Sequence, residues 1–580
     1  VKKPWSLLGW LLLAPLGALL PAAAPAPATL GDIRFPNSGA AAAQPAFIQG
    51  VLLLHSFEFD DAAESFREAQ RLDPGFALAY WGEAMTFNHP LWREQDRDAA
   101  LAVLRRLAST PDARLAKAKT ERERGYLAAV ERLYGEGDKP ARDLAYSEAM
   151  GGLAARHPED LEAKAFYALS ILGTAEGDRD FAVYMRAAAV AEEVFAANPR
   201  HPGAAHYLIH AYDDPIHAPL GLRAARTYAQ IAPAASHAQH MISHIYVALG
   251  MWNESVEANV KAIEVAAERR VRKGLGVDAL NYHALHWLEY SYLQLGRFEE
   301  ARARLDAMTA AAKESGSPRA LWHHAAMRAA WIVETGGRNA PPEIGPDKTQ
   351  VSGAAADLFA TGYAAAVAGE FDAAAAAATR IGERRDTAAA AGHVCAQGAP
   401  FKNTSKSDLV VAEVMQKSLR ALVAQGRGDT AAATKLLDEA TAAEDAMALD
   451  YGPPAIVKPS HEIYGELLLK AGRPAEAKAQ FEKALARAPR RTLSLQGLAK
   501  AEEATGDTAA LSATCAAIAA NYASADAAAA RPRGCDLSHA PHHVDHEHDQ
   551  QDGAEPYARS PTDTPATMAV VPATAPEEQQ

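Results

Sequence analysis

The side chains best suited to chemistry are a run of histidines between His201 and His286, in the strings HPGAAHYLIHAYDDPIHAP, SHAQHMISHIYVALG and NYHALHWLEYSYLQLG. His206 and His210 stand four residues apart, as do His240 and His244; His283 and His286 stand three apart, and His237 precedes His240 by three. Helical neighbours at these spacings share one face. An imidazole pair at i,i+4 can therefore chelate one ion from a single helix. Imidazole without thiolate suits Zn, Cu(II), Ni or Fe, and a transition metal, Cu or Zn, is the expected cofactor. Asp213 and Asp214 read as ligands, as groups that orient the imidazoles, or as the turn before Pro215. The competing reading is that each histidine is a mildly polar groove residue that hydrogen-bonds a peptide or stacks on a partner.

Other chemistries find little support. The string HEIYGE beginning at His461 lacks the second histidine of the zinc-protease HExxH pattern, and no GxSxG, Walker loop or GxGxxG occurs. No residue stands out as a catalytic base, so no catalytic residue is assigned and a non-enzymatic role is favoured over a metalloenzyme. The formal net charge of −14 argues against a nucleic-acid partner, which needs a basic surface. Of the three cysteines, Cys515 and Cys535 can pair in an oxidising compartment, leaving Cys395 free.

The elements that position these residues are helical. The 580-residue chain is 49% hydrophobic, much of it Ala, and only 7% aromatic, a balance that favours close helix packing. Residues 458–491 place Gly465, Leu468, Ala477, Phe481, Ala484 and Pro489 in a regular frame. Small residues at such positions let two helices approach, large ones fill the gap, and Pro ends the second helix. Gly50, Ala62, Phe66, Ala69 and Pro74 repeat the frame in 43–76, and 202–235, 236–269 and 282–315 carry it with Gly250 and Gly296 at turns. Over roughly 43–525 the chain thus resembles a tetratricopeptide-repeat protein. The strings LLLHSFEFDDAAESFREAQRLDP, AYWGEAMTFNHPLW and GPPAIVKPSHEIYGELLLKAGRPAEA are similar to exported bacterial members of that family. The resemblance implies an all-α solenoid of stacked helix-turn-helix hairpins. It also implies that the first helix of each hairpin lines a concave groove with its positions 2, 5, 9, 12 and 13. His206 and His210 then fall on 5 and 9; His237, His240 and His244 on 2, 5 and 9; His283 and His286 on 2 and 5; His55 and His89 on 13; and His323 on 5. These nine before His323 form the candidate metal set. His461 takes a large-residue slot and reads as packing, as do Trp81, Trp92, Trp287, Trp322 and Trp331, although Trp287 could shield a site from water.

The termini differ. Lys2 and Lys3 precede an apolar run, Leu7 to Leu20, too short for a comfortable membrane span, and Ala26-Pro27-Ala28 fits a cleavage site before Thr29. With the Ala-rich composition and Val1 pointing to a bacterium, this predicts a periplasmic or secreted protein with no membrane span in the mature chain. The expected organisation is a signal peptide (1–28), a linker (29–42), an N-terminal repeat pair (43–110) and an irregular helical segment (111–201). Histidine-rich repeat units (202–335), a linker (336–352), C-terminal repeat units (353–525) and a disordered, acidic tail (526–580) follow. The tail carries His539, His542, His543, His546 and His548 among acids, a composition typical of flexible metal binders. The expected function is metal binding in the groove, recognition of a protein or peptide there, or both. A metal-independent interaction scaffold and a groove-sited metalloenzyme are the alternatives.

Overall fold

Small residues set against large ones build the hairpins. In the computed structural model, a Cβ on Gly465 would lie 2.7 Å from the Phe481 ring, and one on Gly497 would lie 2.2 Å from it. Phe66 is held the same way near the other end of the array, between Gly50 and Gly82, at 2.8 and 2.3 Å. Each phenylalanine thus sits in a slot that only glycine leaves open. The structure describes residues 30–175, 179–337, 339–344, 348–391, 394–395, 404–449, 451–526 and 535. The expected signal peptide and the tail histidines lie outside them.

The described residues are mostly helical, with two pairs of two-residue strands: Asn88–His89 against Glu94–Gln95, and Val394–Cys395 against Thr404–Ser405. Helices follow one another as hairpins, among them Pro202–Tyr212 with Ala218–Ile231, Ser236–Ala248 with Trp252–Lys273, and Tyr282–Gln294 with Phe298–Ser315. Gly250 takes φ +66° and Gly296 φ +67° at the expected turns, a region that glycine enters without a Cβ clash. The apolar core falls into two large clusters. Met241 and Ile245 of the Ser236–Ala248 helix join the first, and Val247 joins the second, so the middle histidine helix lies at the seam. Among the described residues, no helix is long and apolar enough to cross a membrane.

Several segments differ from the expected organisation. The 29–42 linker contributes to the core: Phe35 packs on Phe47, Trp81 and Tyr126 at 5.3, 5.7 and 5.0 Å between ring centres. The irregular 111–201 stretch forms ordinary helices, including Glu121–Leu133, Lys139–Arg156, Leu161–Gly173 and Phe181–Ala197. Within the C-terminal repeat units, the Ala-rich helix Phe371–Ala390 and the helix Lys406–Gly426 are joined by a longer connection than the three histidine-bearing hairpins have.

Contacts distant in sequence tie the array back on itself. Asp61 pairs with Arg269 at 2.5 Å and Lys273 at 2.7 Å. Thr492 N donates to Gln294 Oε1 at 2.9 Å, Trp252 Nε1 to the Arg490 carbonyl at 3.3 Å, and Asp526 N to the Gly296 carbonyl at 3.0 Å. Arg491, fully buried, reaches Glu462 at 2.8 Å, Glu334 at 2.5 Å and the Tyr290 hydroxyl at 3.1 Å. Replacing Phe481 by Ala empties its slot between two glycines and should cost about 3–5 kcal/mol. Because repeat arrays couple mainly to nearest neighbours, hydrogen exchange should accelerate most in 460–505. Exchange unchanged there would contradict the interlock.

Candidate metal centre

Three helices carry the histidines. His201 caps the Pro202–Tyr212 helix, its Nδ1 accepting from Ala204 N, and Asn281 caps Tyr282–Gln294. The ligand-capable atoms of His206, His210 and His237 lie within 4.8 Å of one another, and so do those of His240, His244 and His283. Each set takes two imidazoles at i,i+4 from one helix and a third from the next hairpin.

Hydrogen bonds decide which nitrogen of each ring is free. His240 Nδ1 lies 2.7 Å from Asn259 Oδ1. The Asn259 amide is oriented by its Nδ2, which donates to the Ser255 carbonyl at 2.8 Å, so Oδ1 accepts and His240 Nδ1 donates. His244 Nδ1 donates to Asp213 Oδ2 at 2.9 Å. With both Nδ1 atoms donating, the rings turn their Nε2 atoms toward each other, and these stand 3.2 Å apart. Two nitrogens bound at 2.0–2.1 Å to one tetrahedral ion would be about 3.3–3.4 Å apart. In the other set, His206 Nδ1 donates to the His55 carbonyl at 2.7 Å, and its bare Nε2 lies 3.2 Å from His237 Nε2. His210 Nε2 is buried with no hydrogen-bond partner.

Burial favours the neutral form of five of these six rings. Desolvation, reinforced by neighbouring imidazoles, keeps His206, His237, His240 and His283 well below the ordinary value of 6.5. It brings His210 to about 4, against the opposing pull of Asp213. Burial alone would raise the Asp213 carboxyl, but Arg179, His210 and His244 outweigh it and hold Asp213 ionised. Asp213 thereby orients His244, and its other oxygen meets Arg179 at 2.5 Å. Asp214 has the turn role, accepting from Ile216 N and His217 N. The His244 ring packs against both Trp287 and Tyr451, at 4.4 and 4.9 Å between ring centres. Rings pinned through Nδ1 with converging Nε2 atoms make a donor set that fits a borderline divalent ion.

The remaining candidates lie elsewhere. His55 is fully buried instead of facing a groove, because the Leu161–Gly173 and Pro202–Tyr212 helices close over it. Its Nε2 meets Glu162 at 2.8 Å and its Nδ1 meets the Tyr207 hydroxyl at 2.7 Å. His201 Nε2 donates to the same carboxylate at 3.1 Å. Burial would raise Glu162, but His201 and His55 hold it at about 2. His55, Glu162 and His201 lie close enough to hold an ion, yet their nitrogens are occupied by hydrogen bonds. His89 stacks on Phe59 at 4.1 Å, donates from Nε2 to the Thr86 carbonyl at 3.0 Å and has Nδ1 3.6 Å from Glu94 Oε2. His286 joins no three-ligand group and packs near Trp322 and His323 at 6.0 and 5.6 Å. His461 bonds Gln480 and Asp445. Sequence reasoning missed Asn259, Arg179 and Tyr451. They lie on other elements, and no spacing links them to the histidines.

The tetratricopeptide-repeat family model matches residues 459–491. No curated protein matches the chain in sequence. Solved structures similar to it include yeast Tom70, at 12% identity over 80% of this chain and 89% of that one, with a TM-score of 0.30. The Cut9–Hcn1 hetero-tetramer of the APC/C is similar at 12% identity over 80% of this chain and 78% of that one, with a TM-score of 0.31. Scores this low carry no argument about function. The chain thus carries a tetratricopeptide repeat at 459–491 within an all-α array of stacked hairpins, an architecture that presents extended surfaces to protein partners.

Asp213→Asn removes the charge that orients His244 and should lower zinc affinity 10–100-fold, measured by competition with a chromophoric chelator. Unchanged affinity would reduce Asp213 to a turn residue. His324 tests the effect of burial away from both sets. Desolvation holds it at about 4, while in the unfolded chain it titrates near about 6.5. As pH falls below about 6.5 the unfolded state takes up the proton first, so this group costs stability progressively down to about pH 4. In metal-free protein, His324→Gln should gain on the parent by on the order of 3 kcal/mol between pH 7 and 4. Parallel urea midpoints across that range would refute this.

Proposed function

We propose that the chain is an exported repeat protein that binds copper or zinc through the sets His206/His210/His237 and His240/His244/His283. The repeat surface remains available to a protein partner. The observation that carries the reading is the convergence of the Nε2 atoms of His240 and His244, 3.2 Å apart. Each ring is pinned through Nδ1 by a fixed acceptor, Asn259 or Asp213, so both Nε2 atoms are aimed at one point. A cation there takes both Nε2 atoms as ligands and keeps both Nδ1 bonds. Three neutral imidazoles leave a coordination position for water or a ligand, which suits storage, delivery or sensing. A metalloenzyme is the second reading, favoured by a cavity of about 980 Å3 that reaches His244 and His283. Export is supported by the charged, then apolar, then small-residue pattern of 1–28. The Cys515–Cys535 disulfide agrees with an oxidising compartment.

The test uses untagged full-length protein from its native host, with His539, His542, His543, His546 and His548 replaced by Ala to silence the tail. It should begin at Thr29 by N-terminal sequencing and carry about one or more copper or zinc ions per chain by elemental analysis. His240→Ala combined with His244→Ala should remove most of the metal from its set. Well under one ion per chain before the double substitution would leave only the interaction scaffold, and an intact residue 1 would reject export by cleavage.

A further inference from the structure

The two histidine sets are joined. Asp213 Oδ2 accepts from His244 Nδ1 at 2.9 Å and lies 3.6 Å from His210 Nδ1. One carboxylate oxygen therefore touches a ring from each set. The rings of His210 and His244 are 5.6 Å apart between centres, and those of His237 and His240 are 6.4 Å apart. Inside the sets the closest rings stand 4.6 to 5.0 Å apart and the widest 6.1 to 6.4 Å, so the spacings between the sets fall within the range found inside them. The six imidazoles form one continuous layer.

Both sets also open onto the same space. His210 and His237 from one, and His244 and His283 from the other, line the cavity of about 980 Å3. Its walls include Trp92, Trp287, Trp322, Tyr451, Met241 and Pro453, a lining suited to an apolar or aromatic body. The charge balance indicates which end of such a molecule would face the ions. Six neutral imidazoles neutralise none of the charge of two divalent ions, and Asp213 is already paired with Arg179. A donor that completes both coordination shells from the cavity is stabilised by being anionic.

Resting on the metal-binding reading above, we propose that the two sets hold their ions as a coupled pair that shares one ligand from the cavity, the anionic oxygen of a small aromatic or apolar molecule. Neither set alone would do this, because each leaves only its own open position.

Copper(II) titration of the full-length chain with the five tail histidines replaced tests the pair, with benzoate as the anion probe. The expected result is two coppers per chain. Their electron-paramagnetic-resonance intensity should fall to less than half of that for two isolated ions, with a half-field transition. His206→Ala combined with His237→Ala should leave one copper at full single-ion intensity, which separates coupling from misfolding. Benzoate should perturb the spectrum of the paired form with a stoichiometry of one per two coppers. Two coppers at full, additive intensity without a half-field transition would overturn the pair while leaving the metal sites standing. One benzoate per copper, or no perturbation, would overturn the shared ligand. Failure to bind copper at all would instead remove the metal-binding reading beneath both.

Discussion

Two imidazole nitrogens are aimed at each other across 3.2 Å, held there by what binds the other nitrogen of each ring. An imidazole can usually flip to suit a neighbour, but His240 and His244 are each pinned through Nδ1. An amide oxygen held in place by Ser255, and a carboxylate held in place by Arg179, each accept from Nδ1. The low dielectric of the site strengthens both hydrogen bonds. The rest of the architecture can be understood as what keeps these acceptors where they are.

That support comes from several parts of the chain. Asn259 rides on the second helix of the middle hairpin, Asp213 ends the first helix of the preceding one, and Arg179 lies before the Phe181–Ala197 helix. Tyr451, which packs on His244, enters from a segment more than two hundred residues away. It arrives there because the C-terminal hairpins dock back through Arg491, Thr492 and Asp526 onto the region between Trp252 and Gly296. An open stack of repeats would leave that face of His244 to solvent. The tie-back also encloses the cavity whose wall includes Trp287, so the same contacts govern the polarity of the site and access to it.

His55 shows how the same residue type takes another role under different packing. The frame placed it among the groove positions, yet Glu162 and Tyr207 occupy both of its ring nitrogens. Its backbone carbonyl, not its side chain, serves the histidine sets by accepting from His206. The hairpins between 111 and 201, which carried no clear repeat frame, put Glu162 there, so periodicity alone could not reveal it.

The sequence by itself determined the helices, the hairpin repeat, the glycine slots for Phe66 and Phe481, and the grouping of imidazoles on the faces of three helices. These follow from short-range periodicity, in which spacing of three or four residues sets direction along one helix. Only the tertiary structure decided which rings meet, which nitrogen of each is free, and that His55, His89 and His286 stand apart from the two sets. Those outcomes depend on acceptors such as Asn259 and Asp213 and on the return of residues 451–526 across the array. Contacts of that kind join elements far apart along the chain, and no local spacing encodes them.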